Sequence, residues 1–294
     1  MSKYIPFTTE QKERAASVDL EEFLRRRGEK LITSGRDKRL ASDHSITIRG
    51  CCIGAGRPKV ILPIVARTED DILREARRLS ALKADCIEWR ADWFSDALDA
   101  AALKRVLSGL RAALGEKLLL VTFRTKAEGG ETSLTPQQYA DFCGTVCVSG
   151  CADLLDVEFF PNQEELPALI GQAHKAGVAV VCSSHDFHKT PSRAEMVTRL
   201  TAMQQAGADL PKLAVMPNSP SDVLELLAAT AEMAEQHPET TVITMSMGPL
   251  GAVSRLCGEA FGSAMTFANP GTASAPGQVG LDVVNAVLDS LRLN

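Results

Sequence analysis

Lys212 stands in Leu210-Pro211-Lys212-Leu213-Ala214-Val215-Met216, a single amine inside an otherwise apolar run. Burial and nearby positive charge both disfavour the ammonium form of a lysine, and a neutral amine beside a carbonyl compound forms an imine. Upstream, His185 closes Ser183-Ser184-His185-Asp186-Phe187. A histidine, whose ordinary pKa lies near 6.5, can carry protons to and from such an imine. Two carboxylates are candidates to orient its ring: Asp156, and Glu128 in the loop Lys126-Ala127-Glu128-Gly129-Gly130-Glu131. Arg90, Arg124 and Arg255 add three guanidinium groups, whose planar fork suits a carboxylate. The bland alternative for Lys212 is a salt bridge with Glu158 or Asp156. His188 rivals His185 but falls in a polar loop, where a surface role is expected.

These groups must be carried by something rigid. From residue 59 onward, short apolar runs at 60–65, 84–90, 118–124, 153–158, 178–185, 210–216, 240–247 and 262–268 alternate with longer amphipathic segments. The latter cover 69–82, 97–114, 135–149, 163–176, 192–206, 220–236, 253–259 and 277–291. Strand, helix, strand in this rhythm implies parallel pairing through right-handed crossovers. Eight such units predict a closed (β/α)8 TIM barrel rather than an open sheet.

Barrel strands are covered on both faces and should read as continuous Val, Ile and Leu. Here they carry charge. Cys86, Glu88 and Arg90 alternate onto one face of the second run, Leu120, Thr122 and Arg124 of the third, and Leu154, Asp156 and Glu158 of the fourth; the fifth offers Ser183 and His185, and the sixth Lys212, Ala214 and Met216. The polar positions gather at the C-terminal ends, the rim where barrel enzymes place their sites. Salt bridges at the mouth would explain any one of them. Removing several charges from water costs several kcal/mol each unless they are paired, so their recurrence on five consecutive strands favours a functional site.

Composition narrows the function further. The 294 residues hold 32 Lys+Arg against 37 Asp+Glu, a net charge of −5, which argues against nucleic acid as a partner. The longest apolar runs are about seven residues, such as 176–182, well short of the ~18 a membrane span needs. No apolar stretch follows Lys3 to make a secretory signal, and the eight cysteines, two of them adjacent at Cys51 and Cys52, read as reduced thiols of a cytoplasmic protein. Residues 1–50 carry 11 basic and 8 acidic residues while the rest is acidic, so residues 1–44 read as a polar N-terminal extension of a domain over 45–294. In that extension, Asp19 and Glu22 form a capping-box pattern, and Arg25-Arg26-Arg27 reads as a solvated helix face.

Eight short motifs, one for nearly every βα unit, resemble the type I 3-dehydroquinate dehydratase family. They are Glu88-Trp89-Arg90-Ala91-Asp92, Phe123-Arg124 with Glu128-Gly129-Gly130, Asp156-Val157-Glu158, and His185-Asp186-Phe187 with Lys189-Thr190-Pro191. The others are Lys212-Leu213-Ala214-Val215-Met216, Ser246-Met247-Gly248, Ser254-Arg255-Leu256 with Gly258-Glu259, and Ala273-Ser274-Ala275-Pro276-Gly277-Gln278. The resemblance runs from about residue 45 to the end. It implies dehydration of 3-dehydroquinate to 3-dehydroshikimate through a covalent imine, with no metal or other cofactor. Lys212 would condense with the C3 ketone and His185 would act as general acid and base, with Glu128 and Asp156 holding or polarising it. Arg255 would pair with the substrate carboxylate. Glu88, Arg90, Arg124, Ser274 and Gln278 would contact hydroxyls or close over the ring, and Met247 and Phe267 would form apolar walls. The resemblance further implies a homodimer, and a hairpin over 46–54 closing the N-terminal end of the barrel.

Particular residues admit other readings. A class I aldolase would also use a strand-six lysine imine, but the Glu88-Trp89-Arg90, His185-Asp186-Phe187 and Ser274 to Gln278 motifs argue against it. A catalytically idle barrel that only binds a metabolite or protein partner would be expected to have lost Lys212 or His185. Cys143, Cys147 and Cys151 recur at helical spacing, yet no fourth ligand completes a zinc set, so core packing is expected. Gly54 and Gly56 read as a turn signal. Asn269-Pro270-Gly271-Thr272 reads as the start of a mobile lid over 269–278.

Overall fold

A computed structural model describes residues 32–33, 44–160, 164–239, 241–271 and 277–293. The Asp19/Glu22 pattern, the 25–27 arginines, and residues 272–276 of the stretch 269–278 expected to form a lid, Ser274 among them, lie outside these residues.

Among the described residues, eight parallel strands form the barrel wall: β4 (Lys59–Ile64), β5 (Cys86–Arg90), β6 (Leu118–Thr122), β7 (Leu154–Glu158), β8 (Ala179–Asp186), β9 (Leu210–Val215), β10 (Ile243–Ser246) and β11 (Met265–Asn269). Each pairs with the next in chain order, and β11 pairs back onto β4. The ring closes between β10 and β11. There Val242 bridges Ser263, the Ala264 N–H donates to the Val242 carbonyl at 2.8 Å, and Ser263 Oγ accepts from the Thr244 N–H at 3.0 Å. The expected barrel is therefore the observed architecture.

Helices start where the sequence supplies caps. Thr68 accepts from the Asp71 N–H at the head of α1 (Glu69–Ser80), whose first turn is acidic and last turn basic, matching the helix dipole. Thr135 with Gln138 and Ser219 with Asp222 form capping boxes ahead of α3 (Pro136–Ser149) and α6 (Pro220–Gln236), each with proline at the first helical position. The remaining long crossovers are α2 (Ala100–Leu114), α4 (Leu166–Lys175), α5 (Arg193–Gln205) and α9 (Leu281–Ser290). Cys143 and Cys147 face the core, packed between the sheet and the helices. All eight cysteines are free thiols. No helix among the described residues is long and apolar enough to cross a membrane.

The lower half of the barrel is filled by the first inward residues of the strands, among them Ile61, Cys86, Leu118, Leu154 and Leu210. Below them lies the hairpin of β2 (His44–Ile48) and β3 (Cys51–Ile53), whose Ile48 and Ile53 are buried against this layer. A short strand β1 (Ile32–Thr33) adds to the hairpin by pairing with β2. Asp153 ties plug to barrel, accepting from Arg49 Nε at 2.7 Å, Arg111 Nη1 at 2.8 Å and the Leu119 N–H at 2.9 Å.

Two expected helices differ. The segment 253–259 is not one helix but a short α7 (Gly248–Gly251), a 3-10 turn (Ala252–Arg255) and α8 (Gly258–Phe261). The chain doubles back tightly after β10: a Cβ at Gly251 would lie 2.4 Å from the Ser246 carbonyl carbon, and Ser254 Oγ binds both the Gly251 carbonyl and the Ser246 N–H. The consequence is that Arg255 turns inward at the barrel mouth. The segment 277–291 begins with β12 (Val279–Gly280), parallel to the end of β11, and becomes helical only at Leu281.

Candidate active site

A cavity of about 180 Å³ opens at the C-terminal ends of the strands. Its wall includes Glu88 and Arg90 from β5, Lys212 and Ala214 from β9, His185 from β8, Met245 from β10 and Phe267 from β11, with Arg124, Glu128, Gly129, Phe187, Met247, Arg255 and Gln278 from the loops beyond.

Lys212 is 3% exposed. Its Nζ donates to Asp156 Oδ2 at 3.2 Å and lies 4.8 Å from the centre of the Phe267 ring. Strand register explains the placement. Lys212 pairs with Ser183, and Ala214 pairs with His185, so period-two alternation sends Lys212 and His185 inward from adjacent strands.

Asp156 shares itself between two cations. Its other oxygen accepts from Arg124 Nη2 at 2.8 Å and from the Ser183 hydroxyl at 2.7 Å. Burial alone would raise its pKa, but Arg124 and Lys212, with the Ser183 hydroxyl, hold it below the ordinary carboxylate value. Arg124 Nη1 also donates to Glu158 Oε1 and Ser183 Oγ, both at 2.9 Å. Glu158 is turned away from the cavity, accepting from the Thr125 N–H at 2.8 Å and the Thr125 hydroxyl at 2.6 Å. Arg124 is thus a cavity-wall cation locked among acids.

Glu128 Oε2 accepts from the His185 main-chain N–H at 3.1 Å and lies 2.9 Å from its ring Nδ1. Burial, reinforced by the positive charges of Arg124, Lys212 and Arg90, holds the imidazole well below its ordinary pKa. With Nδ1–H donating to Glu128, the neutral ring keeps its basic lone pair on Nε2. Burial also pushes Glu128 well above the ordinary carboxylate value, an effect that Arg124 opposes and Glu158 and Asp156 reinforce. The loop that presents Glu128 depends on Gly130, where a Cβ would fall 1.8 Å from the Arg124 carbonyl oxygen.

Arg255 is 2% exposed, with Nη1 3.4 Å from the Met245 sulfur, and burial lowers it to about 10. A cation in such a place suits an anionic ligand that enters the cavity. Glu88 accepts from the Thr122 hydroxyl at 2.9 Å, and Arg90 is held bidentately by Asp92. Among the described residues no group of three or more His, Cys, Asp or Glu side chains is arranged to hold a metal ion.

A family model described as type I 3-dehydroquinase matches residues 60–294, the whole barrel. The chain belongs to the type I 3-dehydroquinase family. Relatives agree along nearly their full length. The 3-dehydroquinate dehydratase of Klebsiella pneumoniae is 45% identical over 248 residues, 84% of this chain and 99% of the relative. That of Lactiplantibacillus plantarum is 47% identical over 250 residues, 85% of this chain and 99% of the relative. Among solved structures, a type I 3-dehydroquinate dehydratase from Clostridium difficile, described with covalent modified comenic acid, superimposes with a TM-score of 0.82. It is 43% identical and covers 84% of this chain and 97% of its own. The enzyme from Geobacillus kaustophilus gives a TM-score of 0.83 at 37% identity, covering 86% and 98%.

In this 3-dehydroquinase the barrel brings together Lys212, His185, Glu128, Glu88, Arg90, Arg124, Met247, Arg255, Phe267 and Gln278 around one cavity. Asp156, expected to hold or polarise His185 together with Glu128, has its oxygens engaged by Lys212, Arg124 and Ser183, while Glu128 is the acid bonded to His185. Phe187, Ala214 and Met245 also line the cavity; Ala214 shares its strand face with Lys212 as expected, while Phe187 and Met245 carry no expected role. Each lies two residues from an expected site residue, so strand alternation from His185, Lys212 and Met247 was the available signal. His188 is exposed.

Proposed function

We propose that this chain dehydrates 3-dehydroquinate to 3-dehydroshikimate, a step of the shikimate pathway that leads to aromatic amino acids, through an imine on Lys212. The observation that carries the reading is a buried amine sharing one cavity with a Glu128-oriented imidazole and the buried Arg255. That a 43% identical relative is described with covalent modified comenic acid supports covalent chemistry in this family's site.

The Lys212 amine attacks the C3 carbonyl and a C–N bond forms; the carbonyl oxygen departs as water, taking one proton from the amine and one relayed from solvent through His185, which leaves a protonated iminium. The iminium nitrogen withdraws electrons, so the C2 proton becomes acidic enough for His185 Nε2 to remove it. The C2–H electron pair then forms the C1–C2 double bond as the C1 hydroxyl leaves, protonated by the imidazolium. Water attacks the iminium carbon, again with His185 moving protons, and frees the amine and product. Glu128 keeps the ring in one tautomer and orientation. Asp156 supplies the countercharge that a protonated amine or an iminium needs in a buried place. Arg255 pairs with the substrate carboxylate, and Glu88, Arg90, Arg124, Ser274 and Gln278 engage hydroxyls or close over the ring. Met247 and Phe267 form apolar walls. No metal or organic cofactor is required.

The catalytic unit spans 45–294, with 1–44 as an extension, in a cytoplasmic homodimer. The exposed Leu224, Leu250 and Val253, on α6 and the turns after β10, would supply apolar contact area for the second subunit.

Borohydride treatment with and without 3-dehydroquinate, followed by peptide mass mapping, tests the mechanism. The expected result is a substrate-dependent adduct on Lys212, absent in Lys212→Ala, with turnover indifferent to chelators. No adduct on Lys212, or retained turnover in Lys212→Ala, overturns it.

A further inference from the structure

The proposed chemistry gives no task to Asp92, a buried acid of the mouth. Asp92 lies in the turn after β5, its side chain fully buried. Oδ1 accepts from Arg90 Nε and Oδ2 from Arg90 Nη2, both at 2.7 Å, a fork-to-fork pair. The same two oxygens meet two main-chain donors. Oδ1 faces the Arg124 N–H at 3.4 Å and Oδ2 faces the Glu131 N–H at 3.2 Å.

Residues 124 and 131 are the two ends of the loop that presents Glu128. Between them the loop is closed on itself, with the Gly130 N–H donating to the Thr125 carbonyl at 2.8 Å and the Lys126 N–H to the Thr132 carbonyl at 3.0 Å. Glu128, in its short helical turn Lys126–Glu128, moves with that frame. One carboxylate therefore holds a cavity cation and both ends of the loop whose acid orients His185.

We propose that Asp92 is a positioning residue that sets Arg90 against the substrate and, through the 124–131 loop, keeps Glu128 in register with His185. The proposal rests on the roles proposed above for Arg90 and His185. A pair serving stability alone fits less well. Burying an ion pair gains little net stability over apolar packing, whereas the acceptor capacity of Asp92 is aimed at the cavity cation Arg90 and at the two ends of the loop that carries Glu128.

Asp92→Asn tests this sharply, because its NH2 must point at a donor wherever it lies. KM for 3-dehydroquinate is expected to rise roughly ten- to a hundredfold as Arg90 loosens, the range of a lost hydrogen bond to a charged group. The acid limb of kcat/KM is expected to move and kcat to fall, because Glu128 is released from His185. Asp92→Glu, which keeps both oxygens, should recover part of the limb. Circular dichroism supplies the folding control, and Asp92→Ser gives the same readouts should the asparagine variant not fold. Unchanged KM and an unchanged acid limb, with only a lower melting temperature, would overturn the proposal. Borohydride trapping separates it from the reading it rests on: the adduct on Lys212 should persist in Asp92→Asn at saturating substrate. An absent adduct in the wild-type chain overturns the imine, and leaves KM and the acid limb to decide Asp92.

Discussion

Asp156 Oδ2 lies 3.2 Å from Lys212 Nζ, while Oδ1 of the same carboxylate holds Arg124 at 2.8 Å. One acid, buried beneath the cavity, is the shared countercharge of the proposed nucleophile and of the arginine that organises the neighbouring acids.

Asp156→Asn should leave two buried cations short of one negative charge. Breaking a buried ion pair from one side costs about 3–5 kcal/mol. Denaturant unfolding should show that loss at neutral pH. Asp156 is more acidic in the folded than in the unfolded chain, so its contribution is present above about pH 4 and fades as pH falls through its lower folded value. The wild-type chain should therefore lose stability below about pH 4 more steeply than the variant, and parallel acid limbs would count against this role.

The acid limb of kcat/KM should lie below about pH 6.5, the ordinary histidine value. Burial and three nearby cations favour the neutral ring, so the base survives as pH falls through that value and is lost only at lower pH. Glu128→Gln places an amide against Nδ1 and no longer selects one tautomer. A fall in kcat of about a hundredfold or more, with a smaller change in KM, is expected from steady-state rates across pH. A limb at or above 6.5 in the wild-type chain would contradict the placement of the imidazole.

Asp153→Ala should destabilise the fold by about 3–5 kcal/mol, because Arg111, Arg49 and the Leu119 N–H lose a common acceptor at the barrel bottom. Arg49→Ala, whose side chain is about one-third exposed, should cost less than about 1 kcal/mol. Both variants should still trap substrate on Lys212 when folded, since Asp153 lies at the opposite end of the strands from the cavity. Thermal or denaturant unfolding with borohydride trapping reads both.

The eight βα units and their caps were legible because burial periodicity and capping are local. Pro220–Gln236 occupies the range its pattern indicates, and Thr135 and Ser192 cap the helices that follow them. The helix expected at 253–259 failed because apolar content there competes with glycines at 248, 251, 258 and 262. The turn they permit carries Arg255 inward.

Residue type and spacing alone therefore marked Lys212, His185 and Arg90 as groups gathered at one rim, because alternation along a strand determines its inward face, and marked Glu128 and Arg255 as polar groups in the turns beyond the strands. Which acid serves which base was decided only in three dimensions. The pairing of Ser183 with Lys212 and of Ala214 with His185 places Asp156 under the lysine, while the loop closed at Gly130 brings Glu128 to the imidazole. Register between strands, barrel closure and loop path are long-range properties, so no window of neighbouring residues contains them. The grip of Asp92 on Arg90 joins neighbours in sequence. Its hold on the Glu131 N–H exists only because the barrel sets the loops after β5 and β6 side by side.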